Sequence, residues 1–410
     1  MANENLTINA DRLVRRIAEL AEYGKTPGGG VDRPAFSDAD IEARRYVMSL
    51  MRHAGLNVRV DPVGNIFGRR ESSVAAMGTI LFGSHIDTVP NGGAYDGALG
   101  SLAAIEVAHT VAEAGYRNRH PLEVAVWCDE EGGLTGSRGF IGELSQAAVN
   151  ELDSYGVRLS DKIRRIGGDP ARVGKATWKP GSLLAYVELH VEQGSVLDSH
   201  GIDIGVVQGF VAIDQYDVTI TGVPNHAGTT AMDERIDALL PAAELALAVD
   251  RIVRAIPGNQ VGTVGAFEVS PGAPNVIPGE VALTVELRDP DSARLKPIWQ
   301  SIQSELEAIS DRHRVSFTAH CRQSVAGIPT DARLREVISQ AAEELGLTTR
   351  LMPSGAGHDA QKLAQVCPTG MIFVPSVAGV SHCPRELTRP EDVAHGGNVL
   401  LRSVLKVDEW

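Results

Sequence analysis

Six residues of this chain pair metal-binding or proton-moving side chains with suitable local settings: His85, Asp96, Glu130, Glu131, His190 and His382. His85 closes the apolar run that begins Thr79-Ile80-Leu81-Phe82. Asp96 stands in Gly92-Gly93-Ala94-Tyr95-Asp96-Gly97, just ahead of a helical pattern from Ala98 to Ala114. Glycines there let the backbone bend sharply and leave space for something to approach. Asp87, two residues past His85, is placed to accept the ring N–H that a metal-bound histidine leaves over. Leu122–Cys128 runs into Asp129-Glu130-Glu131-Gly132-Gly133, where one glutamate can ligate a metal while the other moves protons. Leu183–Leu189 delivers His190-Val191-Glu192-Gln193-Gly194, and Met371–Val374 is soon followed by Ser381-His382-Cys383. An isolated Glu-Glu is ordinarily a solvated turn, and a lone His-x-Asp a solvated loop. Here each cluster sits where a short apolar run stops, the edge at which open α/β sheets hold ligands.

Histidines and carboxylates without thiolates suit zinc, and equally manganese or cobalt. His85, Asp96, Glu131, His190 and His382 are more ligands than one ion needs, so a carboxylate shared by two divalent ions is expected. Such a pair brings a water held between the ions to a pKa of about 7, which leaves Glu130 free as general base.

The surrounding periodicity supplies the elements. Helices are expected at Asn9–Tyr23, Asp38–Ala54, Ala98–Ala114 and Asp331–Leu345. The last helix starts near Thr388-Arg389-Pro390-Glu391, which reads as a capping box with an early proline. Strands at Leu56–Val60, Thr79–Phe82, Leu122–Cys128, Leu183–Leu189 and Met371–Val374 alternate with helices, so an α/β sheet is expected. Residues 150–182 are polar and glycine-containing and read as irregular connection. From Val211 the texture changes. Tyr216–Thr221 alternates as an antiparallel strand with one wet face, followed by a helix Asp233–Ala255, strands Gln260–Val269 and Glu280–Arg288, a helix Ser292–Arg312 and a strand Val315–His320. That order is the ferredoxin-like pattern. The expected organisation is a mixed-sheet α/β catalytic domain over residues 1–210 and 325–410, with a small α+β domain inserted at 211–324.

At 410 residues two domains are expected. A hydrophobic content of 43% with 22% charged residues is ordinary for a globular protein. A net charge of −14 offers no basic field for nucleic acid or an anionic membrane. No apolar run nears the roughly 18 residues of a membrane span, and Met1–Asn5 lacks the basic and apolar parts of a signal peptide. The four cysteines are scattered without a CxxC pair, which fits a cytoplasmic protein with free thiols.

From about Asn9 to Leu405 the motifs resemble those of the M20 family of metal-dependent amidases and peptidases. They are SHIDTV, GGAYDG, DEEG, ELHVEQG, NHAGTT, NVIPG with LRDPD, SGAGHDA and GVSHCPRE. The match is to the carbamoylase branch, which comprises N-carbamoyl-L-amino-acid hydrolases, β-ureidopropionases and allantoate amidohydrolases. His190 marks that branch, since the peptidase relatives usually place a carboxylate there. The resemblance implies a hydrolase that cleaves the C–N bond of a ureido or carbamoyl amino acid on two divalent ions. Asp96 would bridge them, with His85 and His190 on one ion and Glu131 and His382 on the other. Glu130 would be general base and then acid, and Asp87 would orient His85. His226 would polarise the substrate carbonyl, Arg288 would grip the substrate carboxylate, and Asn275, Gln193, Gly357 and His358 would supply further contacts. A homodimer through the inserted domain is also implied. The chain departs from the branch at Gly133-Leu134-Thr135-Gly136-Ser137, where a small residue with Arg-Phe and a longer loop are usual. It also departs at Asp214-Gln215, in place of an arginine pair, and at Ala231, in place of proline. None of these departures touches a metal ligand.

Overall fold

Three strand pairings in a row run parallel and carry the middle of a nine-stranded mixed sheet. The strand Thr79–His85 pairs with Leu122–Trp127 on one side and with Leu183–Val191 on the other, and Leu183–Val191 pairs in turn with Thr369–Val374. Antiparallel neighbours extend it: Ile66–Arg70 and then Asn57–Val60 beyond Leu122–Trp127, and Ile204–Phe210 beside Thr369–Val374. This computed structural model describes residues 6–74, 78–152, 156–175, 178–179 and 181–410. The parallel strands are buried along almost their whole length, which is why they read as unbroken apolar runs and not as alternation. The helix Ala98–Glu113 is covered nearly all round, as its small and aliphatic residues require. Because the chain leaves Thr79–His85 for a neighbour on either side, its carboxyl end is a topological switch point.

The chain divides into two compact units. The first comprises residues up to Gln208, Pro329–Met352 and His358–Trp410, and the second comprises Gly209–Ile328 with Pro353–Gly357. In the second unit Ala212–Thr221, Val261–Ser270, Glu280–Asp289 and Ser316–Val325 form an antiparallel sheet. Its order is fourth, first, third, second, with the helices Leu239–Ala255 and Ser292–His313 between the strands in chain order. That is the split βαβ arrangement.

Several elements depart from expectation. Ile66–Arg70 and Ile204–Phe210 are strands, although glycine interrupts the apolar pattern of each. Within 150–182 a short helix forms at Leu159–Arg165, whose Ile163 is buried. The long helix of the second unit starts only at Leu239, because Val223 and Ile236 pair as an isolated bridge just before it. The final helix, Pro390–Val407, has no side-chain cap. The Thr388 hydroxyl instead donates to the Pro375 carbonyl at 3.0 Å.

Inside the first unit, Glu106 is fully buried on the helix Ala98–Glu113. Its carboxylate meets the Arg12 and Arg16 guanidiniums at 2.7 and 2.9 Å and accepts the backbone N–H of Asn9 at 3.1 Å. Both oxygens are thus engaged, as a buried ion must be if it is not to cost several kcal/mol.

Candidate metal centre

His85 is the last residue of its strand, and its ring lies against the glycine that opens the next helix. Gly97 has φ of +62°, and a Cβ built there would fall 2.3 Å from the ring, so both conformation and space demand glycine. The Ser101 hydroxyl, one turn into that helix, donates to the His85 carbonyl at 2.7 Å. His190 lies near the end of the adjoining parallel strand, paired with Phe373. Glu130 and Glu131 open a four-residue helix just after Leu122–Trp127. They are turned there by Asp129 in the left-handed region, with φ of +58°. His382, at φ +57°, follows the 3₁₀ turn Val377–Gly379.

Their atoms converge. Asp96 Oδ1 lies 3.4 Å from His85 Nε2 and 3.2 Å from His190 Nε2, and those two nitrogens are 3.5 Å apart. Asp96 Oδ2 lies 3.3 Å from His382 Nε2, which is 3.6 Å from Glu131 Oε1. His85, Asp96 and His190 therefore make one compact donor group, and Asp96, Glu131 and His382 make a second. Asp96 belongs to both, with one oxygen in each. The other ring nitrogens fix the tautomers. His85 Nδ1 lies 3.1 Å from the Asp87 carbonyl and His190 Nδ1 lies 2.9 Å from the Val191 carbonyl. A carbonyl can only accept, so Nδ1 carries the proton in each ring and Nε2 presents its lone pair inward. Glu131 Oε1 is buried and has no hydrogen-bond partner among the described residues. Inward-facing ring nitrogens, a shared carboxylate and an orphaned oxygen fit divalent-metal binding.

Asp87 reaches His85 through its backbone carbonyl, while its carboxylate stands 3.6 Å from Nδ1. That carboxylate accepts the backbone N–H groups of Glu130 and Glu131 at 3.3 and 3.1 Å, so Asp87 also ties the two-glutamate turn to the His85 strand end. Glu130 Oε2 is 3.8 Å from His85 Nε2, and its Oε1 is 3.8 Å from His358 Nδ1. Gln193 donates to Asp96 Oδ2 at 2.7 Å. His358, at the start of the short helix Asp359–Leu363, stacks at a tilt on His190 with ring centroids 4.5 Å apart.

The electrostatics follow from burial and from these contacts. Burial drives the Glu130 and Glu131 carboxyls above their usual range, against the pull of His85. Burial also opposes ionisation of Asp96, but His190, His382 and His85, when protonated on their inward nitrogens, together hold it well below the ordinary carboxylate range. The hydrogen bond to Asp96 raises His382 to about 9, whereas burial depresses His358 and keeps it neutral.

The remaining expected residues lie in the second unit. His226 is exposed, and its Nδ1 accepts the Gly228 N–H at 3.0 Å. Its loop is fastened to that of Asn275 through Ala227 N–H donating to the Asn275 carbonyl at 3.0 Å. Arg288 pairs with Glu286 at 2.8 Å and donates to the Gly355 carbonyl at 2.7 Å. Gly357 closes the segment Pro353–Gly357 of the same unit.

Glu188 and Glu386 were not anticipated as supporting groups. Glu188 lies buried beneath His190 and accepts from the Ser84 hydroxyl at 2.7 Å and the Ala360 N–H at 3.1 Å. Its signal is the period of two along the strand, since Tyr186, Glu188 and His190 share one face.

Comparison with known proteins settles the family. The model of Peptidase family M20/M25/M40 matches residues 81–406. The chain belongs to this family. It is 40% identical over 402 residues to an N-carbamoyl-L-amino acid amidohydrolase of Geobacillus stearothermophilus, covering 97% of this chain and 98% of that protein. It is 36% identical over 417 residues to a ureidoglycolate hydrolase of Arabidopsis thaliana, covering 98% and 87%. An amidase of the hydantoinase/carbamoylase family from Burkholderia multivorans superposes with a TM-score of 0.90 at 35% identity, over 98% of both chains. A tripeptidase from Staphylococcus aureus, at 18% identity and a TM-score of 0.70, shares the fold. Among the described residues of this family member, no helix is long and apolar enough to cross a membrane.

Proposed function

We propose that this chain is a metal-dependent amidohydrolase acting on the C–N bond of N-carbamoyl (ureido) amino acids. The observation that carries the reading is the Asp96 carboxylate with one oxygen in each of two donor groups, beside a glutamate that belongs to neither. The names of full-length relatives point to the carbamoyl substrate.

His85, Asp96 and His190 would hold one divalent ion and Asp96, Glu131 and His382 the other. Zinc, manganese or cobalt fits the nitrogen and oxygen donors. Bound there, the ions supply Lewis acidity, which acidifies water and polarises a carbonyl. Glu130 takes a proton from the attacking water at its carboxylate and returns it to the departing nitrogen. Burial has already raised its affinity for a proton. One water is consumed, and the ureido group leaves as ammonia and carbon dioxide with release of the amino acid. His226 is assigned to the oxyanion, Arg288 to the substrate carboxylate, and Gln193, Asn275, Gly357 and His358 to the rest of the substrate, on the strength of their motifs.

A homodimer through the second unit is part of this reading. Leu240 and Leu247 lie exposed on the helix Leu239–Ala255, and Val261 and Phe267 lie exposed on the edge strand Val261–Ser270. Four free cysteines support a cytoplasmic location.

The test is ammonia release from N-carbamoyl-L-α-amino acids, N-carbamoyl-β-alanine, allantoate and ureidoglycolate. Metal-stripped protein is assayed with and without manganese, cobalt or zinc, and Glu130→Gln is the control. Metal-restored turnover of a carbamoyl amino acid that the variant lacks is the expected result. Turnover of allantoate or ureidoglycolate alone would favour a second reading, an allantoate-type or other small-amide hydrolase on the same centre, which the name of the plant relative supports. No turnover from folded, metal-loaded protein would overturn both.

A further inference from the structure

We infer that Glu386 is a positioning residue for the second donor group, acting on Asp96 through the backbone. The inference rests on the metal reading of Asp96 given above. Asp96 lies in a loop outside any strand ladder, bracketed by Gly93 and Gly97, so little regular structure holds it. A single buried carboxylate oxygen, Glu386 Oε1, accepts the consecutive backbone N–H groups of Tyr95 and Asp96, both at 2.9 Å. The other oxygen, Oε2, lies 2.8 Å from the Ser381 hydroxyl, which is also 3.1 Å from Asp96 Oδ2. Ser381 immediately precedes His382. Glu386 thus ties together the two loops that bring Asp96 and His382 to one place, from segments almost 300 residues apart in the chain.

Gly93 makes room for this clamp. A Cβ there would fall 2.2 Å from Glu386 Oε1 and 2.4 Å from its Cβ, so a larger residue would push Glu386 off the two N–H groups. A metal site tolerates displacement of a ligand by only about half an ångström, and partners that orient ligands commonly account for 10–100-fold in metal affinity. The effect should be largest on the group containing Asp96, Glu131 and His382, where Glu386 holds the loops of two of the three residues, and smaller on the group that shares only Asp96. His85 and His190 stand on buried parallel strands that Glu386 does not touch.

The experiment measures metal stoichiometry and dissociation constants by competition with a chromogenic chelator, using zinc or manganese as the probe. Folding is checked by circular dichroism and thermal melting. Glu386→Asp keeps the charge but withdraws its reach by one methylene, whereas Glu386→Gln keeps the reach without the charge. E386A and E386D are expected to bind the ion of the Asp96, Glu131 and His382 group 10–100-fold more weakly and the other ion less affected, since it keeps His85 and His190, and E386Q to stay within about 3-fold of wild type for both. Glu106→Gln is the control for loss of a buried carboxylate as such: it should lower the melting temperature and leave both dissociation constants unchanged. Folded E386D with both ions at wild-type affinity would overturn the inference, as would an equal loss of affinity in E106Q. A wild-type protein that takes up no divalent ion would instead overturn the metal reading beneath it.

Discussion

Two charge clusters of the first unit, one around the buried Glu106 and one around the buried Asp96, differ in what closes them. Around Glu106 every charge has an opposite partner from the chain itself: two guanidiniums, a backbone N–H and no orphaned oxygen. Around Asp96 the chain has brought acids and imidazoles together with their lone pairs facing inward and the Glu131 oxygen left over. The first arrangement is complete as folded and serves packing. The second gathers nitrogen and oxygen donors of the kind that hold divalent ions. Burial alone therefore does not distinguish function from structure; the chemistry of the groups gathered together does.

The sharpest way to break this comparison is at Glu130, which belongs to neither donor group. Glu130→Gln should lower kcat by about 10³-fold. Metal content and melting temperature should stay at wild-type values. Next comes the metal itself. Chelation should lower the melting temperature of the wild type by several degrees, because a ligand bound only by the native state stabilises it. Asp96→Asn should melt at one temperature with or without chelator, and a surviving chelator effect would place the ions elsewhere. Third, Glu106→Gln leaves Arg16 uncompensated and should cost about 3 kcal/mol, read by urea unfolding, with kcat and KM unchanged.

The smallest effect sharpens the comparison with an intermediate case. Asp40 is buried near Arg44, but that guanidinium donates to the Gly64 carbonyl, so the acid is only partly compensated. Burial raises its pKa to about 6. A raised pKa means that the folded state prefers the protonated acid, so this contribution is whole below about pH 4 and is lost as pH rises through 6. Asp40→Asn keeps an acceptor for the Phe36 N–H and should remove that slope, gaining about 2–3 kcal/mol on the wild type between pH 4 and pH 7.

The residues of the two donor groups were legible in the sequence because two patterns coincide at most of them: an apolar run long enough to be a buried strand, and a side chain able to bind metal where it stops. The ferredoxin-like order was legible for a similar reason, since alternating strands and long amphipathic helices are strong periodic signals. What escaped lacks periodicity. Ile66–Arg70 and Ile204–Phe210 become strands because neighbours in the sheet pair with them, despite glycine in each. Thr388 has the spacing of a cap, yet a tertiary contact with Pro375 claims its hydroxyl. Glu386 acts on backbone N–H groups 290 residues away, and backbone groups leave no trace in side-chain spacing.

The order in which the ligands are encoded has a consequence for biosynthesis. His85, Asp96, Glu131 and His190 are all made before the second unit, whereas His382 comes about 190 residues after His190. At ordinary elongation rates of roughly 5–20 residues per second, the nascent chain carries four of the five proposed ligands for about 10–40 s before the fifth is made. The sheet is unfinished over that interval as well, because Thr369–Val374 must still pair beside Leu183–Val191. The proposed centre is therefore complete only once the whole second unit has been made, and a chain released before His382 carries an unfinished donor set.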